Sequence, residues 1–154
     1  MRTALVLPLL MAALAASAPA RAADSPEETA IKAREGVMHI RAFNLGNLVA
    51  MVKKEVPYDA DAAQTYASNL KTLNQLDMRG AWMEGTSVDQ YIDSRAKPEI
   101  WAQGDKFADH GKKEAEAADK LAAVAGDGLN SMAPAVKDLA ETCKGCHDDF
   151  RTKD

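Results

Sequence analysis

The chain is poor in aromatic residues, which make up 5% of its 154 positions, and it holds only two cysteines and three histidines. Runs of β-branched residues are absent while alanine is abundant, a composition that favours helices over sheet. No basic excess exists: the formal net charge is −4, which argues against nucleic acid and anionic lipid as partners. After residue 16 no apolar run approaches the length that spans a membrane. No internal repeat, low-complexity tract or compositional break divides the chain.

What is present begins with an export pattern. Arg2 supplies a positive start, Ala4 to Ala16 is an apolar stretch too short for a span, and Ala20-Arg21-Ala22 is an A-x-A cleavage site. Residues 1–22 are therefore expected to be a signal peptide and residues 23–154 a single domain. Removing Arg2 and Arg21 lowers the basic count from 19 to 17 against 23 acidic residues, so the mature protein is the more acidic. Export places the protein in the periplasm, where an unmodified pair of exposed cysteines oxidises.

Both cysteines fall in Cys143-Lys144-Gly145-Cys146-His147, the C-x-x-C-H pattern that attaches a c-type haem. On a helix, positions i, i+3 and i+4 share one face. Cys143 and Cys146 can therefore meet the two vinyl groups along one haem edge, and His147 can place an imidazole nitrogen on the iron. A thioredoxin-like C-x-x-C follows a β-strand, and nothing strand-like precedes Cys143. A structural zinc site needs four nitrogen or sulfur ligands, and His39 and His110 stand alone. A disulfide between Cys143 and Cys146 is possible but leaves His147 without a purpose. One motif means one haem c.

The rest of the mature chain predicts four helices. Ser25, Pro26 and Glu28 form a helix start with a capping box, and Ile31, Met38, Leu45, Leu48 and Val52 recur on one stripe up to about Lys54. Gly46 there is either a point of close approach or a plain surface glycine. Pro57 turns the chain, and Asp59 or Asp61 caps a second helix that carries Ala63, Tyr66, Ala67, Leu70, Leu73 and Leu76. The pattern then breaks from Met78 to Ala96, a loop of about 20 residues with room for a turn of helix near Val88 to Ile92, and with Trp82 as a plug over the core. Lys97-Pro98-Glu99 opens a third helix bearing Ile100, Phe107, Gly111, Ala115, Ala118 and Leu121, which Gly126-Asp127-Gly128 ends. The fourth runs from about Asn130 to Arg151, with Met132, Val136, Leu139, Cys143, His147 and Phe150 on its buried face. The expected fold is all-α, an antiparallel four-helix bundle with a long crossover loop between its second and third helices.

With those residues in place the chain resembles the class II c-type cytochromes, cytochrome c′ and its low-spin Met-ligated relatives. The resemblance rests on Cys143 to Arg151, on Arg34 followed by Met38, on Glu55-Val56-Pro57-Tyr58-Asp59, and on Lys97-Pro98-Glu99-Ile100-Trp101. It covers essentially the whole mature chain. It implies a haem iron held by His147 on one side and faced on the other by Met38. It further implies Arg34 and the residue after it, Glu35, beside the haem propionates, Arg95 and Ala96 at the haem edge, and Arg151 beside the proximal face. Glu35 replaces the glutamine common in cytochromes c′. The resemblance also implies a homodimer through the first two helices.

Met38 divides two functions. If its sulfur bonds the iron, the site is six-coordinate and low-spin and suits electron transfer with redox partner proteins, which is the expected function. If it only covers the iron, the site is five-coordinate and binds NO or CO, for sequestration or sensing. His39 lies 100° round the helix from Met38 and is expected at the rim; His110, one residue off its stripe, is expected in solvent. A haem peroxidase would need a distal acid–base pair, and the first helix offers only Met38 with Arg34 a turn away, so no enzyme is expected.

Overall fold

The computed structural model describes residues 23–153, so the expected signal peptide lies outside the described residues. The first helix, α1 (Pro26–Val52), starts as its sequence dictates. The Ser25 hydroxyl accepts from Glu28 N at 3.1 Å, and Ser25 N donates to the Glu28 carboxylate at 2.7 Å, so two orphan amides are satisfied at once. At its other end Lys54 turns left-handed (φ 60°). That lets Glu55 N reach back to Ala50 O at 2.9 Å and Lys54 N to Met51 O at 3.0 Å.

The second helix, α2 (Ala60–Leu73), is capped by the Asp59 side chain, which accepts from Ala62 N at 2.8 Å. The third predicted helix is split. A single turn, α3 (Glu99–Ala102), is followed by a break at Gln103 (φ −126°, ψ 47°) and then by α4 (Gly104–Val124). Gly128, at φ 108°, frees the chain to enter α5 (Leu129–Phe150). Pro134 lies inside α5, one turn from its start. The carbonyl it cannot serve belongs to exposed Asn130, where water can take the bond.

Neighbouring pairs α1–α2, α2–α4, α4–α5 and α5–α1 pack against one another and close a four-helix ring. Leu48, Leu70, Leu121, Met132 and Leu139 are fully enclosed, with Ala63, Ala67, Ala118 and Ala125 set between them, so small residues let large ones interdigitate. Tyr58 ties both short turns together: its hydroxyl donates to Ala125 O at 2.8 Å and accepts from Gly128 N at 3.0 Å. α1 departs from its predicted stripe at Asn44, which is buried. Asn44 Oδ1 accepts from Asn69 on α2, and its amide donates to Ile40 O. Gly46 is a surface glycine with nothing near it.

The crossover from 74 to 98 has one 3-10 turn, Arg79–Ala81, and a hydrogen-bonded turn at 88–90, where Gln90 N and Tyr91 N donate to Ser87 O at 3.2 and 3.0 Å. Its exit is sewn to the end of α5. Lys97 N donates to Phe150 O at 2.9 Å, Thr152 N donates to Arg95 O at 2.9 Å, and the Lys97 ammonium covers the carbonyls of Asp148 and Asp149. A second apolar cluster forms there, with Ala96, Ile100 and Phe150 at its centre and Trp82, Trp101 and Phe107 around them. Trp82 thus packs beside the crossover cluster, and its carbonyl accepts from the Trp101 indole at 3.0 Å.

Candidate haem site

Between the two apolar clusters the bundle is hollow. The space has two connected lobes of about 450 and 520 Å³. Both lobes are bordered by Arg34, Met38 and Ala42 from α1, Trp82 from the crossover, Phe107 from α4, and Cys146 and His147 from α5. The deeper lobe adds Cys143, Leu45, Leu70 and Leu73; the outer one adds Glu35, His39, Arg95, Ala96 and Arg151. Every residue named from the sequence as a haem contact therefore stands on the wall of one or both lobes, with Met38 on α1 and His147 on α5.

The helical register of α5 does the placing. His147 is open to the cavity although its helix is packed, and Cys143 and Cys146 are half-buried free thiols on the same face. Burial pushes the Cys146 thiol up to about 11, with Cys143, Asp149 and Glu114 adding to it; burial also raises Cys143. These sulfurs stay protonated at neutral pH, unlike the thiolates that bind a metal ion. Burial lowers the His147 pKa, helped by the Arg151 and Arg95 guanidiniums, so its imidazole is neutral and free to donate a lone pair. Among the described residues no three of His, Cys, Asp and Glu gather as a metal site. Two neutral thiols one turn apart, an imidazole beside them and an apolar slot fit a covalently attached haem.

Met38 is 40% exposed, and that exposed part lines the cavity. His39 is exposed and borders only the outer lobe, at its rim. Arg34 is 4% exposed and fully engaged. It donates to Ala81 O (3.2 Å), Thr86 Oγ1 (2.7 Å), Thr86 O (2.6 Å) and Ser94 Oγ (2.7 Å), and its guanidinium stacks on Trp82 at 5.2 Å. Its terminal nitrogens therefore hold the crossover in place. The acceptors are neutral, and burial lowers its pKa, partly offset by Glu35.

His110 corrects an expectation: it is not solvated. Its side chain is 16% exposed, its Nε2 lies 2.9 Å from Asp149 Oδ2, and its ring meets Phe150 edge-on at 5.7 Å. Phe107, Gly111 and Ala115 of the predicted stripe do line the cavity; the stripe is wider than predicted, because His110, one turn after Phe107 on α4, and Glu114, one turn further on, border the same cavity.

Sequence reasoning also passed over a polar triad in the deeper lobe. Arg41 on α1 pairs with Glu114 on α4 and donates to Asn74 Oδ1 at 2.9 Å, while Asn74 Nδ2 donates to Glu114 at 3.2 Å. Arg41 falls three residues after Met38 and seven after Arg34, so α1's own periodicity marked it.

The family model described as Cytochrome C′ matches residues 29–151. A cytochrome c′ from Cereibacter sphaeroides is 41% identical over 145 residues, covering 94% of this chain and 97% of that protein. A solved cytochrome c′ from Rhodobacter spheriodes superposes with a TM-score of 0.82 at 42% identity, covering 86% of this chain and all of that one. The cytochrome c′ of Alcaligenes xylosoxidans has been solved as a carbon monoxide-bound variant, at 32% identity and a TM-score of 0.72 over 84% of this chain and 98% of that one. A nitric oxide complex of a variant of the same protein matches at 31% identity and a TM-score of 0.73, covering 83% of this chain and 97% of that one.

Proposed function

The chain belongs to the cytochrome c′ family and carries a covalently attached haem c; from that premise we propose that it is a periplasmic cytochrome whose haem takes NO or CO on an open face covered by Met38. Cys143 and Cys146 would hold the haem through their sulfurs, and the neutral His147 imidazole would offer its ring nitrogen to the iron. When bound, the haem supplies an iron that accepts a small neutral ligand and changes oxidation state by one electron.

The observation that carries this reading is the α1 side of the cavity. Val37, Met38, Ala42 and Leu45, with Leu70 and Leu73 of α2, make a mostly apolar wall there, on which Arg34 and Arg41 are bonded to other protein groups. Such a wall favours small neutral ligands and keeps water out. The cytochromes c′ solved with carbon monoxide and nitric oxide support it. Glu35, Arg95, Ala96 and Arg151 stand at the rim, and the two guanidiniums there suit carboxylates at the haem edge. Phe43, 63% exposed on α1, meets Tyr66 of α2 edge-on at 6.1 Å, with Ile40 exposed nearby, an apolar face suited to a homodimer through these helices.

Electron transfer with a sixth ligand from Met38 is the second reading. What favours it is Met38 itself, which borders the cavity from α1 while His147 borders it from the neighbouring α5. One titration decides between them. Reduced holoprotein is expected to show a high-spin spectrum that shifts when CO is added; a low-spin spectrum that CO leaves unchanged would transfer the proposal to the electron carrier.

A further inference from the structure

The deeper lobe is mostly apolar; besides Arg34, His110, Thr142 and the haem-attachment motif, its polar lining is Arg41, Glu114 and Asn74, which meet there. Arg41 comes from α1, Glu114 from α4 and Asn74 from the C-cap of α2, so three parts of the bundle converge to bring two opposite charges to one wall. The side chains of Arg41 and Glu114 are 17% and 13% exposed. A buried pair of this kind is a poor source of stability, because desolvating both charges offsets most of their attraction. Apolar residues of similar volume would pack there at least as well. The guanidinium is also incompletely used: Arg41 Nε is buried and has no hydrogen-bond partner. Both charges act on the haem-attachment face. Burial is the main reason the Cys143 thiol is raised; Glu114 raises it further and Arg41 lowers it.

We propose that Arg41 and Glu114 form a built-in charge pair that sets the reduction potential of the haem, with Asn74 holding the two in register. Reduction adds one electron, drawn from a one-electron donor, and so adds one negative charge to the site. A nearby cation stabilises the reduced form and a nearby carboxylate the oxidised form. The pair itself exchanges no electron and no proton, and none of its bonds breaks. It acts by position in a medium that screens charge weakly.

The proposal rests on the haem occupying this cavity and is independent of whether Met38 binds the iron. The test is an optical redox titration of holoprotein, poised with ferricyanide and dithionite, for Glu114→Gln, Arg41→Gln, Arg41→Lys and the double Gln variant. Glu114→Gln should raise the midpoint and Arg41→Gln lower it, each changing the redox equilibrium about tenfold, which is ~59 mV for one electron. Arg41→Lys should stay close to the parent, and the double variant should fall between the singles. A merely structural clamp predicts otherwise: opening the cavity to water moves both singles in the same direction. Same-direction shifts, or none, overturn the proposal. If a Gln variant yields no holoprotein, the Met variants carry the same expected signs. A parent protein without covalent haem would instead sink the assignment of the cavity, which the untitrated spectrum reports separately.

Discussion

Replacing Arg34 with methionine tests how the cavity is kept in shape. The guanidinium makes four hydrogen bonds to the crossover and stacks on Trp82. Hydrogen bonds to a charged group contribute about 1.5–3 kcal/mol each, so the gross loss is on the order of 6–12 kcal/mol. Two effects reduce it. Burying an uncompensated guanidinium costs several kcal/mol, which methionine avoids. The orphaned acceptors also keep other contacts: Thr86 Oγ1 still donates to Met83 O at 2.6 Å, and Ser94 Oγ still donates to Thr86 O at 2.8 Å. The Ala81 carbonyl is the one that loses its donor. The expected net loss is about 3–4 kcal/mol, which at an m-value of about 2 kcal/mol/M lowers the urea midpoint by roughly 2 M. Arg34→Lys keeps the charge but not the planar fork, and should lose about half as much. Urea unfolding of holoprotein followed by circular dichroism gives the midpoint. Hydrogen exchange locates the damage, and the Val88 and Ser94 amides, bonded to Ala96 O and Tyr91 O, should exchange faster while α5 stays protected. A midpoint within ~0.3 M of the parent, or crossover amides as protected as before, would refute the reasoning.

Three further outcomes are expected. Met38→Ala should leave a five-coordinate haem high-spin and raise CO affinity about tenfold by removing a steric term of ~1.4 kcal/mol; a low-spin parent that turns high-spin in this variant would identify Met38 as the ligand. Lys54→Gly relieves a left-handed lysine, a gain of about 1–2 kcal/mol set against about 0.5–1 kcal/mol of extra chain entropy, so the melting temperature should rise by about 2 °C. Asp109, Asp148 and Asp149 are held below the ordinary value of 3.8 by hydrogen bonds from Lys113, from Lys144, and from Lys106 and His110 respectively. Their stabilisation is complete above 3.8 and is lost as pH falls through their lower folded values; melting scans should show that loss shrinking in high salt, and a salt-independent acid limb would count against it.

Local interactions explain what could be read without coordinates. The capping box at Ser25, the Asp59 cap and the C-x-x-C-H spacing act over three or four residues, so sequence alone determined where α1 and α2 begin and that two sulfurs and one imidazole share a face of α5. Periodicity likewise placed Met38 on the stripe that now lines the cavity. Tertiary structure decided what depends on partners distant in sequence. Arg34 meets Thr86 and Ser94 52 and 60 residues away, so nothing local showed that its terminal nitrogens are committed to the crossover. Packing of the bundle brings His110 to Asp149 and Glu114 to Arg41, pairings that exist only because segments from different parts of the chain meet. A helix's own sequence fixes which residues share its face; what that face meets is set by packing, because the energy of a buried charge depends on neighbours the local chain does not supply.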